Sequence, residues 1–104
     1  MLLNVSERIG LLGLLPSEGT VLTLRIVRDL QRELSFSEEE LTALKFVSED
    51  NMVRWENEAE VDKEVEIGDN TRDVVIDIFN KMDVEGKFPM HLLGLFDKFD
   101  DASS

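Results

Sequence analysis

"TVLTLRIVRDLQREL", residues 20–34, is the stretch that decides the fold. Its apolar residues recur at helical spacing, and those assigned to the core are Val21, Leu24, Val27, Leu30 and Leu34. Spacings of three and four place these side chains on one face of an α-helix and leave the charged residues on the other face. The pattern predicts the longest amphipathic helix of the chain, around which the rest of the core is organised.

Two further helices are predicted on either side of this segment. A short first helix, capped by Ser6 and carrying the apolar run 9–15, is expected to end at Pro16, because proline lacks an N–H and restricts the residue before it. After the long helix, "FSEEEL" (36–41) combines two helix-start signals, a capping box and a hydrophobic staple. The box is formed by Ser37 and Glu40, and it predicts a third helix from Ser37 to about residue 45.

The middle of the chain has the signals of β-structure. In "KFVSEDNMVRWE" (45–56), apolar residues flank the polar tetrapeptide "SEDN", which predicts a hairpin. Trp55 lies two residues after Val53, so on a strand the two side chains would point to the same face, and Trp55 is expected to face the core. "AEVDKEVEIG" (59–68) alternates apolar and charged residues and is rich in valine, so it predicts a third strand.

Two more helices are predicted toward the C-terminus. "NTRDVVIDIFNKM" (70–82) is expected to begin at Asn70 and to close near Gly86. Pro89 is expected to start a fifth helix, and its apolar side is assigned to Leu92, Leu93, Phe96 and Phe99.

These elements predict an α+β fold in which about five short helices pack on a small antiparallel β-sheet made of the hairpin and the third strand. A chain of 104 residues with 42% apolar residues is long enough to bury one core without disulfides. We therefore expect a single α+β domain over residues 1–99 and a frayed acidic tail over residues 100–104.

Charge is distributed unevenly along the chain. Residues 1–34 contain equal numbers of acidic and basic side chains, so the other 70 residues carry the entire net charge of -12. Such a surface repels phosphates and anionic lipids, so we expect no direct binding of nucleic acid or membrane, and a basic protein is the expected charged partner. The absence of cysteine and of a basic, cleavable leader favours a soluble, cytoplasmic protein.

The sequence lacks the residue patterns that carry catalysis. The chain has one histidine, His91, with no nucleophile motif to activate, so we interpret it as a surface or packing residue. Phosphate-binding, dinucleotide-binding and zinc-protease motifs are absent from the sequence. We expect a protein that is not an enzyme, with no catalytic residue, no cofactor and no metal.

Two charged patterns are candidate interaction sites. The first is an acidic ladder with a carboxylate at every second position: Glu58, Glu60, Asp62, Glu64 and Glu66. On a strand, side chains at i and i+2 lie about 6.7 Å apart, so the ladder would carry one charge per 6.7 Å, about half the charge density of a single DNA strand. The ladder is therefore either a solvated strand face or one of two rows in a nucleic-acid mimic. The second pattern is a basic stripe of Arg25, Arg28 and Arg32 on the long helix, which we expect to be neutralised by nearby acids.

The segment "LPSEGTVLTLRIVRDLQRELSFSEEE" (15–40) is similar to small uncharacterised proteins encoded by bacteriophages and prophages, and the resemblance covers the first 40 residues and the region of Trp55. That resemblance implies a compact accessory protein and assigns no functional residue. The order helix, helix, helix, hairpin is also similar to a winged helix-turn-helix. The acids of the third helix and of "SEDN" would nevertheless meet DNA phosphates with the wrong sign.

The sequence as a whole favours a non-enzymatic, small acidic accessory or regulatory protein that acts through protein–protein contacts. The alternative is a nucleic-acid-mimicking inhibitor that binds a basic nucleic-acid-binding host protein. A homo-oligomer is possible for the first role, whereas the inhibitor is expected to remain monomeric and to bind its basic partner in a strongly salt-dependent way.

Overall fold

The long helix α2 spans Val21–Leu34, as its periodicity predicts. Thr20 is its N-cap, and its hydroxyl accepts a hydrogen bond from the backbone N–H of Thr23 at 3.1 Å. The buried face begins later than predicted: Val27, Leu30 and Leu34 are buried, whereas Val21 is exposed. The first turn of α2 therefore projects beyond the core.

The computed structural model describes residues 1–50, 52–56, 58 and 60–102. In chain order, the elements are β1 (Leu2–Leu3), α1 (Val5–Leu14), α2 (Val21–Leu34), α3 (Glu38–Leu44), β2 (Val47–Glu49), β3 (Met52–Arg54), β4 (Lys63–Glu64), α4 (Asp69–Val84), a 3-10 turn (Met90–Leu92) and α5 (Leu93–Ala102). The α+β class is confirmed, with five helices dominant over short strands. The predicted tail at 100–104 overlaps α5, which runs to Ala102, and residues 103–104 lie outside the described residues.

The strands form two antiparallel sheets of two strands each, not the single sheet that the sequence predicts. The expected hairpin is present as β2–β3, with Ser48 opposite Val53. The third strand shortens to β4 and pairs with β1, where Leu3 lies opposite Lys63. With this pairing, Leu3 and Val65 are both buried in the main core. The N-terminal segment thus provides a buried apolar residue beside Val65, whereas all residues of the hairpin strands are exposed.

The hairpin stands apart from the core. All six residues of β2 and β3 are exposed, so the expected inner face of the hairpin is not covered by helices. Trp55 is half-buried, and its ring lies 6.1 Å from that of Phe46. Phe46 in turn packs edge to face on Phe36, with 5.1 Å between the centroids. Trp55 thus belongs to a small aromatic cluster at the base of the hairpin, outside the main core.

The main core lies where α1, α2, α4 and α5 meet. Its buried members are Leu3, Leu11, Leu30, Leu34, Val65, Val75, Phe79, Leu92, Leu95 and Phe99. Each helix contributes the residues of one face only, as expected of helices that are amphipathic. In the 3-10 turn and α5 the buried residues are Leu92, Leu95 and Phe99, so the predicted core residue Leu93 is turned outward.

Helix starts follow local capping chemistry. Asn4, not the predicted Ser6, caps α1: its side chain accepts from the N–H of Glu7, and the Glu7 carboxylate accepts from the N–H of Asn4. For α3 the predicted capping box of Ser37 and Glu40 is confirmed. Helix α4 begins at Asp69, one residue before the expected Asn70, and Gly68 takes the N-cap position.

Arg8 is the one fully buried charged residue among the described residues. Its Nη1 donates to Glu40 Oε2 at 2.5 Å, and its remaining donors reach the carbonyl oxygens of Leu34 (3.2 Å) and Ser35 (2.7 Å). Its guanidinium also lies 3.9 Å from the ring centroid of Phe36. One side chain of α1 therefore satisfies the last carbonyls of α2 and holds the first turn of α3.

Arg8→Ala should lower the free energy of unfolding by about 3–5 kcal/mol, because it removes a buried donor from the carbonyls of Leu34 and Ser35 and the cationic partner from the carboxylate of Glu40. Arg32→Ala is the matched control, because Arg32 is exposed and its single ion pair, with Asp29, is long at 3.8 Å. This substitution should change the free energy of unfolding by less than about 0.5 kcal/mol. Urea denaturation followed by circular dichroism measures both. A loss below about 1 kcal/mol for Arg8→Ala would contradict the structural role assigned to Arg8.

Two glycines of α1 should respond to alanine in opposite directions. At Gly13 a Cβ meets nothing within 4 Å, so Gly13→Ala should stabilise the protein by about 0.5 kcal/mol through helix propensity. At Gly10 a Cβ would lie 2.7 Å from Leu92 Cδ2, whose side chain is buried, so Gly10→Ala should be destabilising by about 1–2 kcal/mol. Thermal denaturation of the two variants side by side tests this, and equal midpoints would show that α1 does not approach Leu92 so closely.

Candidate interaction surfaces

The acidic ladder follows strand geometry over only part of its length. From Asp62 to Glu66 the carboxylates are exposed, and the Val65 side chain between them is buried. The alternation does not extend to the residues that precede Asp62. Val61, which was expected to face inward, is 74% exposed, and Glu60 is half-buried. The five ladder carboxylates, Glu58 to Glu66, therefore do not form one continuous row. Asp62, Glu64 and Glu66 are the part in which exposed carboxylates alternate with less exposed side chains; only Glu64 lies within the two-residue strand β4, and we call the three residues the acidic strand.

The strand beside β4 supplies no second row of charge. That neighbour is β1, whose two residues are Leu2 and Leu3. The carboxylate of Glu64 accepts from the amino group of Met1 at 2.7 Å, which neutralises the centre of the acidic strand. The second row that nucleic-acid mimicry requires is thus not provided within this sheet.

The basic stripe is exposed along its full length. Arg32 pairs with Asp29 at 3.8 Å, and both side chains are more than two-thirds exposed, so the pair contributes at most about 1 kcal/mol. Arg25 and Arg28 form no ion pair with the part of the chain that the structure describes. The predicted neutralisation by acids of the same molecule is therefore limited to Arg32.

A cleft of about 320 Å³ opens between the end of α4 and the start of α5. Its lining residues are Asp83, Phe88, Met90, Leu93 and Phe96. Its aromatic walls rest on the buried Phe79, whose ring centroid lies 5.5 Å from Phe88 and 5.7 Å from Phe96. Phe88 and Phe96 also pack edge to face on each other at 5.6 Å. The cleft is thus an apolar recess with a well-packed aromatic floor and one carboxylate.

The rim of this cleft exposes large apolar side chains. Met90 is 88% exposed and Leu93 51% exposed. Contiguous apolar exposure of this kind is typical of a binding surface, whereas isolated exposed apolar residues are not.

The sequence pattern does not predict this cleft. Helical periodicity assigns Leu93 and Phe96 to the core side of the fifth helix, and "DVEGKFPM" (83–90) has the composition of a connection. One signal is present: Met90 is a large apolar residue just after Pro89, and the apolar periodicity assigned to the fifth helix does not include it. His91, next to Met90, is exposed on the 3-10 turn.

No family model, curated protein or solved structure matches this chain. Its surfaces must therefore be interpreted from their own chemistry. Among the described residues, no helix is both long enough and apolar enough to span a membrane. In the same part of the chain, no group of three or more His, Asp or Glu side chains is arranged to hold a metal ion.

A smaller cleft of about 180 Å³ lies between α1 and α3 and is lined in part by Glu40, Leu44 and Val61. The hydrogen bond from Arg8 lowers the pKa of Glu40 from 4.5 to about 2, and the backbone N–H of Ser37 acts in the same direction against the opposing effect of burial. Glu40 is therefore ionised throughout the neutral range. It is committed to the fold and is not available as a proton donor in this cleft.

The lowered pKa of Glu40 predicts a specific acid sensitivity. Because the folded-state pKa lies below the unfolded value, the stabilisation is fully present above pH 4.5 and is lost as the pH falls toward about 2. Glu40→Gln lacks this ionisation, so the stability difference between the natural protein and this variant should shrink across that window.

Urea denaturation at a series of pH values measures this difference. Glu39→Gln, which removes an exposed carboxylate from the same helical turn, controls for the change in net charge. If the Glu40→Gln and natural curves stay parallel between pH 4.5 and 2, the ion pair with Arg8 does not set the pKa of Glu40.

Proposed function

We propose that this protein is a non-enzymatic accessory protein that binds a partner protein through the apolar cleft between α4 and α5. The ligand is a segment of the partner that combines a large apolar side chain with an adjacent lysine or arginine. The observation that carries this proposal is the exposure of Met90 and Leu93, which line the cleft, beside the packed aromatic pair of Phe88 and Phe96.

The apolar part of the ligand follows from the lining of the cleft. Burying exposed apolar surface contributes about 25 cal/mol per Å², and the exposed Met90 and Leu93 gain most when covered. A rigid floor of Phe88 and Phe96 loses little conformational entropy on binding, while the flexible Met90 can adapt to the entering side chain. A volume of about 320 Å³ lies at the lower limit of ligand pockets, which suits side chains and not a large cofactor.

The basic part of the ligand follows from charge. Asp83 is the one carboxylate in the lining, and its position at the edge of an apolar surface favours a cation on the ligand. The net charge of -12 adds a long-range attraction for positively charged partners, which raises the association rate at low salt. A basic amphipathic helix or turn meets both requirements.

The biological setting is part of the proposal. A chain without cysteine fits the reducing cytoplasm, where we place this protein. The resemblance of residues 15–40 to small phage and prophage proteins supports an accessory or regulatory role of phage origin.

The nucleic-acid-mimicking inhibitor is the weaker proposal. It needs two acidic rows, and the regular part of the ladder is limited to the acidic strand, beside which β1 presents leucines. Its binding would depend on charge alone and would be independent of the cleft.

Selection of peptides from a random display library tests the proposed function, since it requires no identified partner. Peptides that bind the natural protein should be enriched in large apolar residues next to Lys or Arg. Leu93→Asp, which places a charge in the cleft, should weaken their binding at least tenfold, or about 1.4 kcal/mol.

Leu22→Asp is the matched control, because Leu22 is 69% exposed on α2, away from the residues that line the cleft. It should leave the affinity within about twofold, well below the tenfold loss expected in the cleft. Polybasic peptides that bind independently of Leu93 would instead support the inhibitor proposal. Apolar, basic peptides that bind the Leu93→Asp variant as well as the natural protein would remove the cleft from consideration.

A further inference from the structure

Sulfur occurs in this chain only as the thioether of methionine, because the sequence has four methionines and no cysteine. Met1 and Met82 are half-buried and pack against the main core. Met52 is 61% exposed on the hairpin, and Met90 is 88% exposed at the rim of the apolar cleft. Met90 is thus the methionine that solvent reaches most freely, and it is the one that lines the cleft.

An exposed thioether is a site of oxidation by hydroperoxides. The sulfur lone pair of Met90 attacks one oxygen of hydrogen peroxide, and the O–O bond breaks. The proton of the transferred oxygen passes to the other oxygen, which leaves as water. The sulfur loses two electrons and gains an S–O bond, and the peroxide is reduced by the same two electrons. The product is methionine sulfoxide, a polar side chain in place of an apolar one, and reductases can restore the thioether.

The cleft has no group that would compensate a sulfoxide oxygen. Its other lining residues are Asp83, Phe88, Leu93 and Phe96. The three apolar side chains carry no hydrogen-bond donor, and an ionised carboxylate can only accept. If an apolar side chain of a ligand covered the sulfoxide, the S–O oxygen would lose water without gaining a partner, and this penalty is absent for the thioether.

Oxidation of Met90 should leave the fold intact. Its side chain lies almost wholly in solvent, so it contributes little packing to the core. The aromatic pair of Phe88 and Phe96 is held from below by ring contacts with the buried Phe79. Met82 differs from Met90, because it packs against the core. A chemical change at Met90 therefore acts on what the cleft binds and not on the stability of the protein.

We propose that Met90 is a redox-sensitive modification site: a hydroperoxide oxidises its thioether to the sulfoxide, and the sulfoxide releases the partner from the cleft. This inference rests on the proposed function, because it assigns a regulation to that binding site. Reduction of the sulfoxide restores binding. In a chain without cysteine, Met90 couples the binding of the partner to the peroxide concentration around the protein.

Peptide binding before and after oxidation tests this inference. The probe is an apolar, basic peptide selected from the display library and free of methionine and cysteine, so that the protein carries the oxidised sulfur. The natural protein is treated with hydrogen peroxide, catalase removes the excess, and mass spectrometry measures the sulfoxide at each methionine. Met90 should be oxidised before Met82, and the affinity should fall about tenfold as Met90 is converted. Methionine sulfoxide reductases should restore it.

Three variants separate Met90 from the other exposed methionine, and each is compared with itself before and after peroxide. Met90→Leu keeps an apolar side chain that peroxide does not oxidise, so its affinity should not change on treatment. Met52→Leu is the matched control on the hairpin, and its affinity should fall about tenfold, as in the natural protein. Met90→Gln introduces a polar side chain without any oxidant and should bind about tenfold more weakly than the natural protein. Circular dichroism checks that each variant folds.

The untreated protein distinguishes failure of this inference from failure of the proposed function. If the peptide binds the natural protein but not Leu93→Asp, and the affinity survives oxidation of Met90, the redox inference is overturned and the proposed function stands. The inference is also overturned if Met90→Leu loses affinity on oxidation, or if Met90 stays reduced while Met82 is oxidised. If no peptide binds through the cleft before treatment, the proposed function fails and the inference fails with it.

Discussion

The buried guanidinium of Arg8 is the interaction on which the arrangement of the first three helices depends. A buried cation costs several kcal/mol in lost hydration, and this cost is offset only when its nitrogens find hydrogen-bond acceptors and a counter-charge. Arg8 finds these in Glu40 and in the carbonyls of Leu34 and Ser35, while Phe36 covers its face. Since these partners lie at the end of α2 and the start of α3, the direction of the chain between the two helices is fixed by a residue of α1.

A second set of polar contacts ties the chain ends into the same structure. Lys98 of α5 donates to the carbonyl of Leu2 at 2.9 Å and to Glu7 at 2.8 Å, and Glu7 also belongs to the capping box of α1. Beneath these contacts, α4 and α5 close the core around Phe79 and Phe99. The apolar cleft lies at the far end of this same pair of helices, so its floor is held by the core while its rim is free to bind.

Much of the secondary structure could be predicted from the sequence alone, because it depends on local interactions. The periodicity of α2, the capping box of Ser37 and Glu40, and the turn of the β2–β3 hairpin all depend on residues within a few positions of one another. The same kind of signal was sufficient for the α+β class and for the dominance of helices. It failed at Asn4 and Gly68, where another favourable capping residue, Ser6 or Asn70, lies two positions further along the chain.

Tertiary structure decided which surfaces are buried and which are free. The pairing of β1 with β4 joins residues about 60 positions apart, and no local pattern distinguishes it from pairing with the hairpin. Arg8 has the composition of a surface residue, and only the convergence of three helices gives its guanidinium enough acceptors to be buried. Leu93 fits the apolar period of α5 as well as Leu92 does, and the angle at which α5 meets α4 buries Leu92 and leaves Leu93 at the cleft. Periodicity identifies the apolar side of a helix, but the neighbours that cover that side are set by packing, and packing is a property of the whole chain.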